Sequence, residues 1–572
     1  MSLLPANEGK VERHRHHTGE NSESGFDKAL MPCPRFLFEG ELVGLEPPQA
    51  WLDADSSAEA AELLFAAISK EGPAGLAEVD GVFAFARSRP PNAYLYRDSS
   101  GLRALYWGRT SDGVPVYSTT PLDVAVSKHS APRLSRDALH EYLRLLDVAA
   151  PRTVFHDVHG VEPGALLTIS VGCAPRSEVV APHSPREPPS TFGAAVDALA
   201  ELLGHSVAVR LAGENRAATF LSGGVDSTLI CALAARQGGR LTALTVGFEG
   251  EPSDEAPAAA RMAAYLGLRH EVLRFDRQAL LHALDCLARG MDQPMADPAT
   301  LVTLLTFEHC REHFDVVLDG TGADEAVGAM PPRHVRLAVE YGSRIPASLR
   351  QLLVRMMSRV PGLAGYTPIL DFEHPAETLM RWQGFTRPEI EELCGELVAL
   401  ERTTFYRTFA RYPRRAHYER YSALLNAMPC DRLTQAMKLT GLRVRFPFLA
   451  RDVDGFLRQL PTEWRYLPGQ PKRILRELLA RYVPRELWDA PKRGFTFPLH
   501  DFLAGDGYAL VQQHVLAGRW LGRGLLRPEV VQRYARAYMG GDRRLMFRVW
   551  ALVVLGAWLD AHEDLTIPPP RA

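Results

Sequence analysis

The feature that most constrains the fold is a glycine-containing run that follows an apolar segment. It reads Phe-Leu-Ser-Gly-Gly-Val-Asp-Ser-Thr over residues 220–228. Residues 217–221 predict a strand, and residues 227–236 predict a helix. Such a loop directs several backbone N–H groups to one point, because glycine has no Cβ to block the approach, and the helix N-terminus adds positive charge. The sequence therefore predicts a loop that binds phosphate. Its contacting residues are predicted to be Leu221, Ser222, Gly223, Gly224, Asp226 and Ser227.

Asp226 is the unusual member of this loop. A carboxylate inside an anion-binding loop is explained if Mg²⁺ bridges it to the phosphates. The run is not a Walker A loop, because no Gly-Lys-Ser/Thr follows the glycines. The alternative is an ordinary strand-to-helix turn in which glycine serves only the backbone geometry.

Composition excludes several classes of protein. The chain has 572 residues and a net charge of −3, which favours neither a nucleic-acid-binding protein nor a polybasic membrane protein. Its seven cysteines are scattered and form no Cys-x-x-Cys, as expected for a protein of the reducing cytoplasm. The apolar stretch 549–559 is too short to span a bilayer and predicts a buried helix.

The hydrophobic pattern divides the chain into two domains. Residues 1–33 predict a disordered tail, and 34–174 contain short alternating segments that predict a β-rich domain. The proline-rich stretch 175–189 predicts a linker. Within 190–565, strands and helices alternate and then give way to helical periodicity, which predicts an α/β fold with a doubly wound parallel sheet and a large helical part. The strands of that sheet are predicted at 217–221, 241–247, 270–274 and 314–318.

The first loop resembles the pyrophosphate loop of ATP pyrophosphatases, and further motifs resemble the asparagine synthetase branch of that family. They are Leu244-Thr245-Val246-Gly247-Phe248, Asp319-Gly320-Thr321-Gly322-Ala323-Asp324-Glu325, Arg445-Phe446-Pro447-Phe448-Leu449, Pro471-Lys472-Arg473 and Ala490-Pro491-Lys492-Arg493. The resemblance implies ATP and Mg²⁺ as cofactors and extends the nucleotide site to a second set of residues. These are Val246, Gly247, Phe248, Gly320, Thr321 and Gly322.

The resemblance also implies that Asp226 and Asp324 together hold Mg²⁺, and that Lys492 and Lys472 are catalytic. Lys492 aligns with the lysine that stabilises charge on the α-phosphate. The chain has only seven lysines, which makes an incidental lysine less expected at either position. The chain departs from the family at Arg443 and Ala450, where the family has acidic residues, so free aspartate as the substrate is put in doubt.

The first domain resembles the glutamine-hydrolysing domain of asparagine synthetases. Val82-Phe83-Ala84-Phe85-Ala86 and Tyr96-Arg97-Asp98 match its strands, and Glu39-Gly40-Glu41 matches its Asn-Gly-Glu segment. The family's nucleophilic cysteine at the mature N-terminus has no counterpart, since Cys33 is too close to the matching strand. We therefore expect a degenerate glutaminase domain that releases no ammonia.

The resemblance to members with such a domain indicates an ATP-dependent ligase that adenylates an Asp or Glu side chain and closes a ring. We favour a lasso peptide cyclase, which joins that carboxylate to the N-terminal amine of a core peptide. Its expected partners are the precursor peptide, a leader-binding protein and a leader peptidase. The Arg- and aromatic-rich segment between Gly328 and Asp431, which includes Phe405, Tyr406 and Tyr418, could hold a folded peptide. For each of these residues taken singly, the pattern favours the alternative of a solvated helical face or an aromatic side chain in the core. The alternatives are a β-lactam synthetase, an asparagine synthetase that uses free ammonia, and a nucleotide-binding scaffold without activity.

Overall fold

The structure is a computed structural model of the whole chain. It describes residues 36–43, 51–52, 57–127, 132–180, 187, 189–238, 241–251, 254–328, 341–342, 344–357, 360, 363, 370, 372, 374, 376–377, 384–411, 417–428, 431–467, 469–489 and 497–566. The predicted tail at 1–33 and the predicted catalytic residue Lys492 lie outside these residues.

The described residues form three sheets. Their strands are β1 (Phe36–Val43), β2 (Trp51–Leu52), β3 (Gly81–Arg89), β4 (Asn92–Arg97), β5 (Tyr106–Arg109), β6 (Pro115–Ser118), β7 (His159–Gly160), β8 (Ala165–Ser170), β9 (Arg176–Val179), β10 (Ala217–Phe220), β11 (Leu241–Val246), β12 (Arg269–Leu273), β13 (Val316–Leu318) and β14 (Val444–Arg445). The helices are Ser57–Glu71, Pro121–Ser127, Arg136–Leu145, Phe192–Leu211, Val225–Ala235, Ala256–Leu266, Arg277–Gly290, Thr300–His313, Ala323–Val327, Ala347–Met357, Arg387–Cys394, Thr404–Arg411, His417–Ala427, Asp431–Thr440, Arg451–Gln459, Thr462–Arg465, Arg473–Ala480, Arg485–Trp488, Leu499–Leu503, Tyr508–Val511, Pro528–Met539 and Met546–Ala561.

The first part of the chain builds an antiparallel sheet in the order β2-β1-β3-β4-β8-β9, beside a small sheet in the order β6-β5-β7. Alternate residues of β3 point to opposite faces, as the pleat requires. Phe83 and Phe85 pack in one cluster with the helix Ser57–Glu71, while Ala84 and Ala86 pack in another with residues of the small sheet. The predicted β-rich domain is confirmed, although its pattern did not reveal the helix.

The second part contains a parallel sheet in the order β12-β11-β10-β13-β14. All four pairings are parallel, and β10, β11, β12 and β13 lie within two residues of the predicted bounds. Successive residues of β10 again alternate: Ala217 packs with the helices Phe192–Leu211 and Arg473–Ala480, whereas Ala218 packs with Thr300–His313 and Asp431–Thr440. Helices on both faces confirm the doubly wound fold.

Strand order sets the place of the site. The chain runs from β10 to β11 and β12 on one side, and β13 and β14 then add to the other side of β10. The crevice between β10 and β13 is therefore the point at which the strand order reverses. In open α/β sheets, ligands bind at the carboxyl ends of the strands at such a point.

The two predicted domains share one core rather than meeting at a separate boundary. Tyr142, from the helix Arg136–Leu145 of the first part, is fully buried and donates a hydrogen bond of 2.8 Å to the Ala551 carbonyl near the C-terminus. The surrounding cluster includes Leu143 of the same helix and Trp550 and Trp558 of the last helix. Each large apolar side chain buried in this way contributes about 1.5–3 kcal/mol, so this cluster fixes the two parts together.

The structure changes one predicted bound and adds detail to two other predictions. The predicted linker 175–189 begins inside the first sheet, because Arg176–Val179 forms its outer strand β9. The region predicted to be mostly helical also contains the two-residue strand β14, which completes the parallel sheet. Of the two readings for Phe405 and Tyr406, the structure supports a place in the core, and Tyr406 donates a hydrogen bond of 2.7 Å to Glu377. The side chain of Tyr418 lies outside the described residues.

Two apolar helices are relevant to whether the chain spans a membrane. The last helix, Met546–Ala561, is almost completely buried, which confirms the prediction for 549–559. By length and composition, Phe192–Leu211 is the helix in the described part of the chain that is long and apolar enough to cross a membrane. Its residues Leu199 and Leu203 pack in the core beside the parallel sheet.

Candidate active site

The first loop follows β10 at the carboxyl edge of the sheet. The amide of Leu221 still donates to the Leu244 carbonyl of β11, at 2.8 Å, and the chain then turns away at Gly223, which has a φ of +69°. Gly224 precedes the helix Val225–Ala235. Glycine adopts this left-handed conformation without the steric cost that other residues have. The strand, loop and helix predicted from the sequence are confirmed here.

Two serine hydroxyls hold the shape of this loop. The Oγ atoms of Ser222 and Ser227 lie 2.8 Å apart, and the amide of Ser222 donates to Ser227 Oγ at 3.2 Å. The amide of Gly224 donates to Ser222 Oγ at 3.3 Å. Ser227 lies in the first turn of the helix, so the serines tie the loop to the end of the helix that attracts anions.

A threonine and a histidine fix the start of the loop from the neighbouring strands. Thr245 Oγ1 donates to the Leu221 carbonyl at 2.6 Å and lies 2.9 Å from His270 Nε2. Because the hydroxyl hydrogen is used at Leu221, His270 must donate from Nε2. Burial lowers the pKa of His270, because it disfavours the charged ring. Thr245 lies in the motif 244–248 but had no predicted role of its own, and His270 was not predicted to belong to the site.

The second loop follows β13 and lies against the first. The amide of Thr321 donates to Asp319 Oδ1 at 2.7 Å, and the amide of Gly322 donates to Glu325 Oε2 at 3.0 Å. A Cβ atom at Gly320 would lie 3.4 Å from the Cβ of Asp226. Glycine at this position therefore lets the two loops approach closely.

Gly322 has two reasons to be glycine. Its φ of +103° is unfavourable for other residues. A Cβ atom there would lie 2.5 Å from Leu449 Cδ2, which belongs to the segment after β14. The second loop is thus shaped by the segment that follows the edge strand as well as by its own sequence.

Lys472 joins the two loops. Its Nζ lies 2.7 Å from Asp324 Oδ1 and also bonds Asp226 Oδ2. The lysine side chain is only 11% exposed. Burial alone would lower the pKa of Lys472, but the carboxylates of Asp226 and Asp324 raise it well above its ordinary value. The ammonium is therefore permanently charged and neutralises one of the two carboxylates.

The backbone at Lys472 is itself unusual. Its φ of 56° and ψ of 39° place it in the left-handed region, directly before the helix Arg473–Ala480. A residue with a side chain occupies this region at an energetic cost, and such conformations cluster at functional sites. Here the conformation accompanies an ammonium group aimed at two facing loops.

The carboxylates of Asp226 and Asp324 fit a Mg²⁺ ion. They belong to facing turns at one edge of the sheet, and one ammonium group contacts both. Magnesium is usually held by one or two carboxylates together with substrate phosphates, so no larger set of protein ligands is needed. The described residues contain no group of three or more His, Cys, Asp or Glu side chains that could hold a metal ion.

Glu325 is, besides Lys472, a titratable group of the site, and its carboxylate contacts the second loop. Burial, and next the charge of Asp324, raises the pKa of its carboxyl to about 7. Its backbone carbonyl accepts hydrogen bonds from Ser422 at 3.0 Å and Asn426 at 3.2 Å. The helix His417–Ala427 is therefore attached directly to the base of the loop.

The predicted segment 246–248 lies at the carboxyl edge of the sheet beside the first loop. Val246 ends β11, and the amide of Gly247 donates to the Leu273 carbonyl at 2.9 Å. A Cβ atom at Gly247 would lie 2.9 Å from Val272 Cγ1, so a larger residue would collide with that side chain unless it moved. Phe248 lines an apolar cavity with Phe275 and Phe497.

The structure thus brings the predicted residues of the two loops and Lys472 to one edge of the parallel sheet, with 246–248 beside them. It adds Thr245, His270 and Glu325, which support the loops. Thr245 and Glu325 lie within the two motifs 244–248 and 319–325, which was the available signal for them, whereas His270 lies in the polar strand Arg269–Leu273 and had none.

Comparison with known proteins agrees with this architecture. The asparagine synthase family model matches residues 198–560, and the glutamine amidotransferase domain model matches 52–177. A putative glutamine-hydrolysing asparagine synthetase of Mycobacterium tuberculosis is 26% identical over 538 residues, covering 89% of this chain and 80% of that protein. Asparagine synthetase 1 of Bacillus subtilis is 24% identical, covering 82% of this chain and 77% of that protein.

Among solved structures, the ammonia-dependent NAD synthetase of Campylobacter jejuni is similar at 12% identity with a TM-score of 0.19, covering 32% of this chain and 93% of that one. The asparagine synthase match spans more than half of the chain and contains both loops and Lys472. The chain therefore belongs to the asparagine synthase family, which consists of ATP-dependent ligases that form carbon–nitrogen bonds.

Proposed function

We propose that this protein adenylates an Asp or Glu side chain of a peptide and joins it to the peptide's own N-terminal amine, as a lasso peptide cyclase does. The observation that carries the adenylation step is the contact of Lys472 with both Asp226 and Asp324, where the two glycine loops meet. A site with two facing anion-binding loops and a fixed ammonium group suits a triphosphate.

Each residue has a defined task in that step. The amides of the first loop and the helix N-terminus bind the phosphates, and the second loop forms the opposite wall. Asp226 and Asp324 would hold Mg²⁺, which when bound shields the charge of the departing pyrophosphate. Lys472 stabilises the negative charge that develops at the phosphate under attack. Lys492 is proposed to stabilise charge on the α-phosphate, as the resemblance to the family implies.

The source of the amine separates this proposal from glutamine hydrolysis. Glu41, in the segment that resembles the glutaminase motif, is buried and ion-paired with Arg445 of the second part of the chain. The described part of the first domain contains one cysteine, Cys173, which is exposed in the turn between β8 and β9. An amine that belongs to the substrate itself removes the need for released ammonia.

The exposed surface of the segment after Gly328 supports a macromolecular substrate. On the helix Ala347–Met357, the side chains of Leu349, Leu352 and Met356 are about half exposed and follow helical spacing. Contiguous exposed apolar side chains are typical of surfaces that contact peptides or proteins. Ring closure mainly requires that the peptide be ordered before attack, and such positioning contributes ~7–11 kcal/mol to lowering a barrier. A leader-binding protein and a leader peptidase remain proposed partners.

The test supplies purified protein with ATP, Mg²⁺ and a linear core peptide that has a free N-terminus and an internal Asp or Glu. We expect AMP, pyrophosphate and a peptide product lighter by one water molecule. Acetylation of the peptide N-terminus should abolish the product, because it removes the attacking amine, but leave some pyrophosphate release. Pyrophosphate release that no peptide increases contradicts the proposal.

A second candidate is an asparagine synthetase that uses free ammonia. Its support is the similarity to asparagine synthetases over most of the chain. Aspartate with ammonium in place of the peptide would then yield asparagine and AMP. A small-molecule ring-closing activity, as in β-lactam synthetases, predicts neither product. A protein that produces no AMP with any carboxylate would instead be a nucleotide-binding scaffold.

A further inference from the structure

A buried ion pair connects the first domain to the edge of the parallel sheet. Glu41 of β1 is 6% exposed and Arg445 of β14 is 3% exposed. Arg445 Nη2 lies 3.1 Å from Glu41 Oε1, and its Nε lies 3.4 Å from Oε2. Charged groups are rarely buried unless they are paired, so this contact is a specific feature of the interface.

The guanidinium of Arg445 is also held from the side of the second domain. Its Nη2 lies 3.0 Å from Glu214 Oε1, and its Nη1 donates to the Arg210 carbonyl at 2.9 Å. Arg443 lies 3.1 Å from the other oxygen of Glu214, so two arginines balance two glutamates. With partners from both domains, Arg445 has little freedom to change its orientation.

A second bridge lies beside the first. Asp80 accepts hydrogen bonds from Arg210 Nη2 at 3.0 Å and from the amide of Arg451 at 3.1 Å. Arg210 therefore contacts the first domain through its side chain and Arg445 through its carbonyl. The first domain thus flanks β14 and the segment after it with two carboxylates.

The backbone of Arg445 leads directly to the nucleotide site. Its carbonyl accepts a hydrogen bond of 3.0 Å from the amide of Asp319, the residue at which the second loop begins. Asp319 in turn accepts from Thr321, and Leu449, four residues after Arg445, packs against Gly322. A two-residue edge strand makes few hydrogen bonds of its own, so its position depends on what anchors it.

We propose that Glu41 is a positioning residue for the nucleotide site: through Arg445 and β14, the first domain holds the second loop in the shape that binds ATP. The domain then has a function in this chain that does not require glutamine hydrolysis. The inference rests on the adenylation step of the proposed function and is independent of which carboxylate or amine reacts.

The test measures ATP binding in the presence of Mg²⁺, and amide hydrogen exchange, for Glu41→Gln in the full-length chain. We expect ATP binding to weaken about tenfold or more, and exchange at residues 319–322 to become at least tenfold faster. Exchange in the first loop, 222–227, should stay within twofold of the wild type. The control is Glu62→Gln. It removes an ion pair inside the first domain, in which Glu62 Oε1 lies 2.5 Å from Arg87 Nη2. It should change neither ATP binding nor the exchange rates.

Glu41→Asp keeps the charge but shortens the side chain by one methylene, so it should weaken ATP binding and accelerate exchange at 319–322 less than Glu41→Gln does. It replaces Glu41→Gln in the test if that variant does not fold. The inference is overturned if folded Glu41→Gln, or Glu41→Asp where Glu41→Gln does not fold, binds ATP within twofold of the wild type with unchanged exchange at Thr321 and Gly322. It is also overturned if exchange accelerates equally throughout the chain, which indicates general destabilisation. A wild type that does not bind ATP contradicts the proposed function instead.

Discussion

Replacement of Lys472 by Met tests the centre of the site. Met has a similar length but no charge, so the substitution leaves two facing carboxylates without their shared cation. At an effective dielectric constant of about 20, two charges 2.7 Å apart attract by about 6 kcal/mol before desolvation is counted. Removing one partner of a buried pair typically costs 3–5 kcal/mol. Since Asp226 and Asp324 keep 22% and 29% of their side-chain exposure, we expect a loss of about 2–3 kcal/mol in the free energy of unfolding.

Two assays distinguish the catalytic effect from the loss of stability. Pyrophosphate release at saturating ATP and Mg²⁺ should fall ~10²–10³-fold, the usual consequence of removing a group that stabilises transition-state charge. Urea unfolding without nucleotide should show that Mg²⁺ stabilises Lys472→Met more than the wild type, because the ion no longer competes with the ammonium. Lys472→Arg is the matched control: it has the same left-handed backbone and charge, and should retain most of the stability.

Two results would refute this account of the site. One is Lys472→Met with wild-type stability and pyrophosphate release. The other is a variant whose unfolding responds to Mg²⁺ no more than that of the wild type, which would mean that the two carboxylates do not form a cation site.

Three further predictions concern the second loop and the shared core. Gly322→Ala should lower pyrophosphate release at least tenfold because its Cβ would meet Leu449, whereas Gly541→Ala, with a similar φ of +106° but open space around it, should cost only about 1–2 kcal/mol of stability and leave the activity unchanged. The Glu325 carboxyl, with its pKa raised from 4.5 to about 7, contributes stability that is full below pH 4.5 and is lost as the pH rises through about 7. Glu325→Gln keeps an acceptor for the loop amide, so urea unfolding should show a flatter pH profile with up to about 3 kcal/mol less variation; an unchanged profile would contradict the assignment. Tyr142→Phe removes a buried hydrogen bond and should lower the unfolding free energy by about 1 kcal/mol in a single transition, whereas two separate transitions would argue against the shared core.

The loops could be predicted because their signals are local. Gly223 and Asp226 lie within a few residues of the strand and helix that define them. The strands β10, β11 and β13 are mostly apolar and could be recognised by pattern, whereas β12 has an arginine, a histidine and a glutamate among its five residues. β14 has only two residues and is a strand because it pairs with β13, so no pattern in the sequence predicts it.

Other parts of the site depend on contacts across long distances in the chain. Lys472 lies 246 residues from Asp226, and nothing near either residue indicates that they form a pair. The pair of Glu41 and Arg445 spans 404 residues. For Phe405 and Tyr406 the sequence left two readings open, because an arginine-rich aromatic segment has the same composition whether its rings face a ligand or the core, and the structure places both rings in the core.

By itself, the sequence determined the family, the parallel sheet and the two glycine turns. Backbone conformation and hydrophobic periodicity depend on residues that are close together in the chain, so a pattern of a few residues is enough to recognise them. Only the tertiary structure decided that one ammonium group contacts both carboxylates, that the two parts of the chain share a core, and that Glu41 is ion-paired with the edge strand. The physical reason is that the energy of a buried charge or a packed ring depends on which distant groups surround it, and those neighbours exist only once the chain has folded.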